Sequence, residues 1–139
     1  MTCVIHSLYY SRMNSVFPAD IVGLHVAEHS PDMRVITVTG EVDALTAQQL
    51  LDCLITHLAA ARVVVVNLDG VRYLASSGLR ALFEANELAT HQGHHLRLVS
   101  KSRTANLVLE TTGLREHFTF ADTVPEALND VPGATPEPS

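Results

Sequence analysis

Apolar and polar side chains alternate along two neighbouring segments, residues 21–28 and 33–40, as they do in strands that are buried on one face. The second segment also contains the β-branched residues Val35, Ile36 and Val38, which favour extended backbone. The sequence between the two segments, HSPD, is typical of a turn. We therefore predict two strands joined as a hairpin.

The hydrophobic period changes to that of a helix between residues 44 and 61. Six apolar side chains share one face of this segment: Ala47, Leu50, Leu51, Leu54, Ile55 and Leu58. The opposite face carries polar side chains: Gln48, Gln49, Asp52 and Thr56. The pattern predicts an amphipathic helix whose apolar face packs on the sheet.

The next segment, residues 62–68, is apolar at nearly every position, which is typical of a strand covered on both faces. We predict that it is the central strand of the sheet. A second amphipathic helix is predicted over residues 77–91, and Gly93 follows it, as a glycine often follows a helix C-terminus. A strand, a short helix, an edge strand and a last helical segment are predicted at 95–100, 102–113, 117–120 and 123–130.

The predicted order of elements is ββαβαβα(β)α, with the bracketed strand at an edge. Alternation of strands and helices favours an α/β fold with a partly parallel sheet and helices packed on it. We assign residues 19–130 to a single domain. Residues 1–18 are predicted to be an N-terminal extension and a candidate for disorder, and the Pro-rich residues 131–139 to be a disordered tail.

The charge of the chain argues against direct binding of nucleic acid. Its 139 residues carry 15 acidic and 9 basic side chains, a net charge of −6, and the basic ones form no cluster that could follow a phosphate backbone. No apolar run approaches the roughly 18 residues of a membrane span, and the N-terminus lacks the pattern of a secretory signal. Cys3 and Cys53 alone make no disulfide framework. We therefore expect a cytoplasmic protein, and the predominance of arginine over lysine favours a bacterial source with a GC-rich genome.

No enzyme signature has the residue spacing that its chemistry requires. A Gly-x-Ser-x-Gly elbow centred on Ser76 would need a glycine where Leu74 stands, and no glycine-rich phosphate loop is present. His91, His94 and His95 could bind a metal through their imidazoles. A predicted helix end favours solvated histidines, however, and no cysteine or carboxylate completes a ligand set. We predict no metal, no cofactor and no catalysis.

Cys53 lies beside Thr46, Gln49 and Thr56 on the helical wheel, away from the apolar face. It is therefore expected to be partly exposed. Exposure would make it a candidate for redox regulation, although no neighbouring base is evident that would activate the thiol.

Two serines follow the predicted central strand in the stretch YLASSGLRAL, residues 73–82. Ser76 or Ser77 can cap the second helix by accepting a hydrogen bond from a free backbone N–H, which explains one of the two hydroxyls. The same position offers a phosphate unpaired N–H groups and the positive end of the helix dipole. Phosphorylation there would place about two negative charges on the surface and could disrupt a protein interface.

Five segments in this order resemble the STAS family, in particular the bacterial anti-sigma factor antagonists. They are GEVDALTA, VVVVNLDGVRYLASSGLRAL, GHHLRLVS, TTGL and FADTVPEAL, and the likeness covers about residues 20 to 130. The resemblance implies a mixed sheet of four or five strands with packed helices. It also implies that the protein binds an anti-sigma factor with serine kinase activity, frees a sigma factor, and releases its partner after serine phosphorylation. A serine phosphatase is a further partner that such a switch implies.

The resemblance also implies a set of site residues. In the family the phosphorylated residue is the first hydroxyl of an Asp-Ser-Ser/Thr-Gly motif, which falls on Ser76 here, with Ser77 as the alternative. The implied partner surface combines the loop at 40–46 with the start of the helix at 76–83. Its residues are Glu41, Asp43, Thr46, Ser76, Ser77, Gly78, Leu79, Arg80 and Phe83.

The sequence departs from the family pattern at two positions. Ala75 stands in place of the motif's aspartate, and Asn67 in place of an aspartate at the end of the central strand. Loss of a carboxylate beside the phosphate acceptor removes a group that could orient the serine by a hydrogen bond. It also removes a charge that the kinase could recognise. One alternative is therefore a STAS module that binds its partner constitutively or under redox control by Cys53. A remote alternative is a small hydrolase that uses Ser76 or Ser77 with a histidine.

Overall fold

Residues 22–129, the part of the chain that this computed structural model describes, fold into a five-stranded mixed sheet with four helices. The strands are β1 (Val22–Ser30), β2 (Met33–Val42), β3 (Val63–Leu74), β4 (His95–Val99) and β5 (Thr119–Ala121). The helices are α1 (Ala47–Ala60), α2 (Ser76–Gln92), α3 (Arg103–Thr111) and α4 (Val124–Asn129), and none of them is long and apolar enough to cross a bilayer. This order confirms the predicted α/β arrangement, including the bracketed strand. The predictions for residues 1–18, for residues 131–139 and for Cys3 lie outside the described residues.

The strands lie in the sheet in the order of the chain, β1-β2-β3-β4-β5, so β3 is central as predicted. β1 and β2 form the predicted antiparallel hairpin, whereas the other three neighbouring pairs are parallel. Each parallel pair needs a crossover connection, because parallel neighbours cannot be joined by a tight turn. β3 is longer than predicted. Its pairing with β4 ends at Asn67–Val99, whereas its pairing with β2 continues to Val42–Leu74.

The valines of β3 confirm that this strand is covered on both faces. Each of the four, Val63 to Val66, is at most 2% exposed. Val64 and Val66 belong to the larger core, which the sheet forms with α1, α2 and α3. Val63 and Val65 belong to a smaller core on the opposite face, which α4 closes with Ala127.

The buried face of α1 differs from the predicted one. Gln49 and Cys53 are 9% and 2% exposed, although the pattern places both outside the apolar face, and Ile55, predicted to be buried, is 37% exposed. α1 packs against α2 as well as against the sheet, and Gln49, Cys53 and His57 are all buried, Cys53 within the larger core. The expected exposure of Cys53 is therefore wrong, and this cysteine lacks the access that a redox sensor requires.

His57 shows how the core accommodates a polar side chain. It is fully buried, and its Nδ1 atom accepts a hydrogen bond of 2.7 Å from Nη1 of Arg34 on β2, because a guanidinium group can only donate. Arg34 also lies 3.4 Å from a carboxylate oxygen of Glu28 on β1. The partner of His57 therefore comes from a different element, so the helical period of α1 alone does not reveal that this position is buried.

Candidate functional site

The loop before α1 and the start of α2 lie side by side at one edge of the sheet. β2 and β3 are parallel neighbours that end together at the Val42–Leu74 pair, so the residues that follow them leave the sheet at the same place. The backbone N–H of Ala75 donates to the carbonyl oxygen of Val42 at 2.8 Å. The structure thus brings together the two segments, 40–46 and 76–83, that the sequence analysis combines into one surface.

Asp43 and Thr46 shape the loop before α1. Oδ1 of Asp43 accepts hydrogen bonds from the backbone N–H groups of Leu45, at 2.9 Å, and Thr46, at 3.1 Å, as in a turn that a side chain stabilises. The hydroxyl of Thr46 accepts from the backbone N–H of Asp43 at 2.9 Å, and Thr46 is only 2% exposed. Glu41 is half-buried in β2. Leu45, which is 74% exposed, is an apolar side chain of this loop that a partner can reach.

The N-cap of α2 is Ala75, and no side-chain oxygen accepts a hydrogen bond at this cap. The expectation that Ser76 or Ser77 caps the helix is therefore wrong. The hydrogen bond from Ala75 to Val42 holds residue 75 in extended backbone, and the helix begins directly after it, at Ser76. Ser76 is exposed, whereas Oγ of Ser77 is buried without a hydrogen-bond partner among the described residues. The two hydroxyls thus differ in access.

The next residues of the helix alternate between packing and exposure. Gly78 and Leu79 are buried, and Gly78 must be small, because a Cβ atom at this position would lie 2.5 Å from Cγ1 of Val42. Arg80 is exposed, and its Nε atom lies 3.3 Å from a carboxylate oxygen of Glu84. Of these residues, Arg80 is the one that a partner can reach directly.

A groove of about 210 Å³ runs between α1 and α2 beside Ser77. Its lining combines apolar and polar side chains: Ala44, Ala47, Leu51 and Ala81, with Gln48, Ser77, Arg80 and Glu84. This groove is not predicted from the sequence, because the helical pattern places Leu51 on the buried face of α1. The sequence does contain a signal for the groove, since the apolar face of α1 is wider than the stripe that the core buries.

Two aromatic side chains lie near or within these segments but outside the groove lining. Tyr73 is 49% exposed and pairs in register with Glu41. Phe83 is half-buried, and its ring meets that of His117 edge-on, with ring centroids 5.6 Å apart. Tyr73 is absent from the predicted site, although an exposed tyrosine is a signal for a protein interface, because such surfaces are enriched in this residue.

A family model of the STAS domain matches residues 25–127 of the sequence. The chain belongs to the STAS family. This confirms the family that the ordered motifs predict, and the sheet and helices described above are those of a STAS-type fold. A comparison of this STAS domain with curated proteins finds no match.

Solved structures of anti-sigma factor antagonists are similar to this STAS domain. An antagonist from Mycobacterium paratuberculosis has 26% sequence identity and a TM-score of 0.72, over 81% of this chain and 95% of that chain. The antagonist SpoIIAA in its unphosphorylated form has 21% identity and a TM-score of 0.69, over 81% and 99% of the two chains. The Bacillus cell fate determinant SpoIIAA in its phosphorylated form has 20% identity and a TM-score of 0.62, over 78% and 98%. The last two likenesses concern the fold.

Replacing Ala75 by asparagine is expected to raise the free energy of unfolding of this STAS domain by about 1 kcal/mol. Alanine offers no acceptor at the N-cap of α2, whereas an asparagine side chain can accept a hydrogen bond from a first-turn N–H group. Urea unfolding followed by circular dichroism measures the change. Ser76→Asn is the matched control, since residue 76 is already helical, and this variant should not be stabilised. An Ala75→Asn variant that is no more stable than the wild type would contradict the assignment of the cap.

No histidine contacts the hydroxyl of Ser77 in the described part of the chain. The groove beside Ser77 contains no histidine in its lining, and Oγ of Ser77 has no hydrogen-bond partner there. The hydrolase alternative therefore lacks the base that it needs in contact with Ser77. His91, His94 and His95 lie around the end of α2 and the start of β4. Within residues 22–129 they are not part of any cluster of three or more His, Cys, Asp or Glu side chains that could hold a metal ion.

Proposed function

We propose that this STAS domain is an anti-sigma factor antagonist that binds an anti-sigma factor with serine kinase activity, frees a sigma factor, and loses its partner when Ser76 is phosphorylated. A serine phosphatase would restore the binding form. The similarity to the Mycobacterium paratuberculosis antagonist, at 26% identity over 95% of that chain, supports the general role. Ser76 is exposed in the first turn of α2, whereas the hydroxyl oxygen of Ser77 is buried. This difference supports Ser76 as the phosphate acceptor.

The start of α2 is suited to hold a phosphate on Ser76. The first N–H groups of a helix have no carbonyl partner within the helix, and the helix dipole is positive at this end. Arg80 lies four residues further on, which is the spacing of neighbours on one helix face. Its present partner, Glu84, forms an exposed ion pair that contributes little stability, so the phosphate can compete for the guanidinium.

The surface around Ser76 is suited to bind a protein. Leu45 and Tyr73 are exposed apolar or aromatic side chains, and Arg80 adds a charge to the lining of the groove between α1 and α2. Exposed tyrosine and arginine are typical of protein interfaces. We propose that the more buried residues of the predicted surface position this face rather than touch the partner; these are Thr46, Gly78 and Leu79, together with the loop-forming Asp43.

Incubation of the full chain with a cognate anti-sigma kinase and ATP tests the proposed acceptor. Intact-mass measurement should show one added phosphate, and peptide mapping should place it on Ser76, because this hydroxyl is the accessible one. Ser76→Ala should abolish the modification, and the matched control Ser77→Ala should retain it. A phosphate on Ser77, or a Ser76→Ala protein that is modified as fully as the wild type, would contradict the proposal.

The second candidate function is a STAS module that binds its partner constitutively. Its support is Ala75, which leaves the N-cap of α2 without the carboxylate that the family motif supplies. Ala75→Asp separates the two candidates in the same kinase assay. If the wild type takes no phosphate and Ala75→Asp takes one, the constitutive function is favoured. Equal phosphorylation of both proteins favours the switch at Ser76.

A further inference from the structure

A polar pocket of about 190 Å³ lies at the far end of α2 from Ser76, where this helix ends beside the first residues of β4. We call it the Arg97 pocket, and its polar lining includes Asn86, Thr90, His95, Arg97, His117 and Thr119. Its residues on α2, Asn86 and Thr90, follow Ser76 by 10 and 14 positions, so at 1.5 Å per residue the pocket is about 15 to 21 Å from Ser76 along the helix. It is therefore separate from the proposed partner surface.

The pocket opens at a gap in the sheet. β5 pairs only with Arg97, Leu98 and Val99 of β4, so on this side of β4 the described residues place no strand beside His95, whose other side pairs with Val63 of β3. The carbonyl group of Thr90, near the end of α2, already accepts a hydrogen bond of 3.1 Å from the N–H of Gly93. It therefore needs no partner in this gap. The gap is therefore open for a ligand that approaches the edge of β4.

Arg97 is the main charge of the pocket and has no counter-ion in the described part of the chain. It is only 5% exposed, and its Nε atom is buried without a hydrogen-bond partner. No carboxylate of residues 22–129 lies within ion-pair distance of its guanidinium group, since the ion pairs there involve Arg34 and Arg80. A buried and unpaired guanidinium is costly, and an anion in the pocket would remove that cost.

Histidine rings add nitrogen atoms that can donate hydrogen bonds in the pocket, and acidic side chains are missing from its lining. Burial, followed by the charges of Arg97, Arg62 and His94, lowers the pKa of His95 below its ordinary value of 6.5. Nδ1 of His94 lies 2.6 Å from the carbonyl oxygen of Leu58, so Nδ1 must carry the proton of this hydrogen bond. The elements that complete the pocket, α2 and β5, contribute uncharged side chains to it, and the 3₁₀ turn Arg115–His117 contributes His117.

We propose that the Arg97 pocket binds an oxyanion of the phosphate class, with Arg97 and His95 as its main ligands. The planar fork of a guanidinium group matches two oxygens of a phosphate, and ring N–H and hydroxyl groups can donate to the others. A metal ion is not the expected ligand, because the lining combines a permanent cation with no acid and the described residues form no cluster of metal ligands. Free phosphate and a phosphate monoester share this chemistry.

Titration of the full chain with inorganic phosphate, followed by NMR, tests the proposal. Saturable shifts of the Arg97 Nε–H and His95 ring signals are expected, and chloride at the same ionic strength should not produce them. Arg97→Gln should weaken binding by roughly tenfold or more, because the charge-assisted hydrogen bonds are lost. Arg103→Gln, which removes an exposed arginine at the start of α3, is the matched control and should bind like the wild type. Phosphate shifts that do not saturate, or that Arg97→Gln leaves unchanged, would overturn the proposal.

A second variant and a pH titration keep the test decisive if Arg97→Gln fails to fold. His95→Gln should also weaken phosphate binding, by less than the arginine change, because His95 is only partly buried. Bound phosphate favours the protonated imidazole, so it should raise the pKa of His95 measured by NMR. A pKa of His95 that is the same in phosphate and in chloride would count against the proposal. Separate titrations with phosphoserine and with adenosine monophosphate show whether a monoester binds more tightly than free phosphate.

Discussion

Replacing Ser76 by glutamate is expected to weaken binding of the anti-sigma factor by roughly 10- to 100-fold, or about 1.4 to 2.7 kcal/mol. Ser76 is exposed at the start of α2, so a carboxylate there meets the partner instead of the core. The new charge must lose water when the interface forms, and it is repelled by any acid of the partner nearby. Isothermal titration calorimetry with the anti-sigma factor that the wild type binds measures the effect.

Ser76→Gln is the matched control, because glutamine has nearly the shape of glutamate without its charge. It should bind within about threefold of the wild type if charge drives the loss, since a rim position tolerates size better than charge. Equal weakening by glutamine and glutamate would assign the effect to size and would contradict a phosphate switch. Unchanged binding of both variants would place the interface elsewhere.

Replacing Gly78 by alanine is expected to lower the free energy of unfolding by about 2 kcal/mol, the usual size of an overpacking effect. The added Cβ atom would lie 2.5 Å from Cγ1 of Val42 and 2.8 Å from Cδ1 of Leu74. Val42 is fully buried and its short branched side chain cannot turn away, so α2 or β2 must shift. The better helix propensity of alanine offsets only part of this cost. Urea unfolding of the purified variant provides the measurement.

A double-mutant cycle with Val42→Ala separates overcrowding from other causes. Val42→Ala alone should destabilise the protein through a cavity, and the Cβ atom of Gly78→Ala should fill part of that cavity in the double variant. The double variant is therefore expected to be more stable than the sum of the two single effects predicts, by about 1 kcal/mol or more. Additive effects would show that Gly78 and Val42 do not contact each other as described.

Much of the fold can be predicted from the sequence, because most elements bury a face whose period is visible locally. The alternation of 33–40 and the continuous apolar run of 62–68 correspond to β2 and to the start of β3. The prediction was wrong for the polar face of α1, where Cys53 is buried in the larger core. It was also wrong for the cap of α2, where the hydrogen bond from Ala75 to Val42 decides where the helix begins. Both errors concern contacts between residues that are distant in the chain.

The sequence by itself determined the order of the elements, the central position of β3 and membership of the STAS family, because these follow from local periods and from motifs in a fixed order. Only the tertiary structure decided which of two adjacent serines is accessible. That choice depends on how α2 leaves the sheet: Ser76 is exposed and Oγ of Ser77 is buried. Only the tertiary structure brought Arg97, His95 and His117 into one pocket, because the pairing of β4 with β5 unites residues from separate segments.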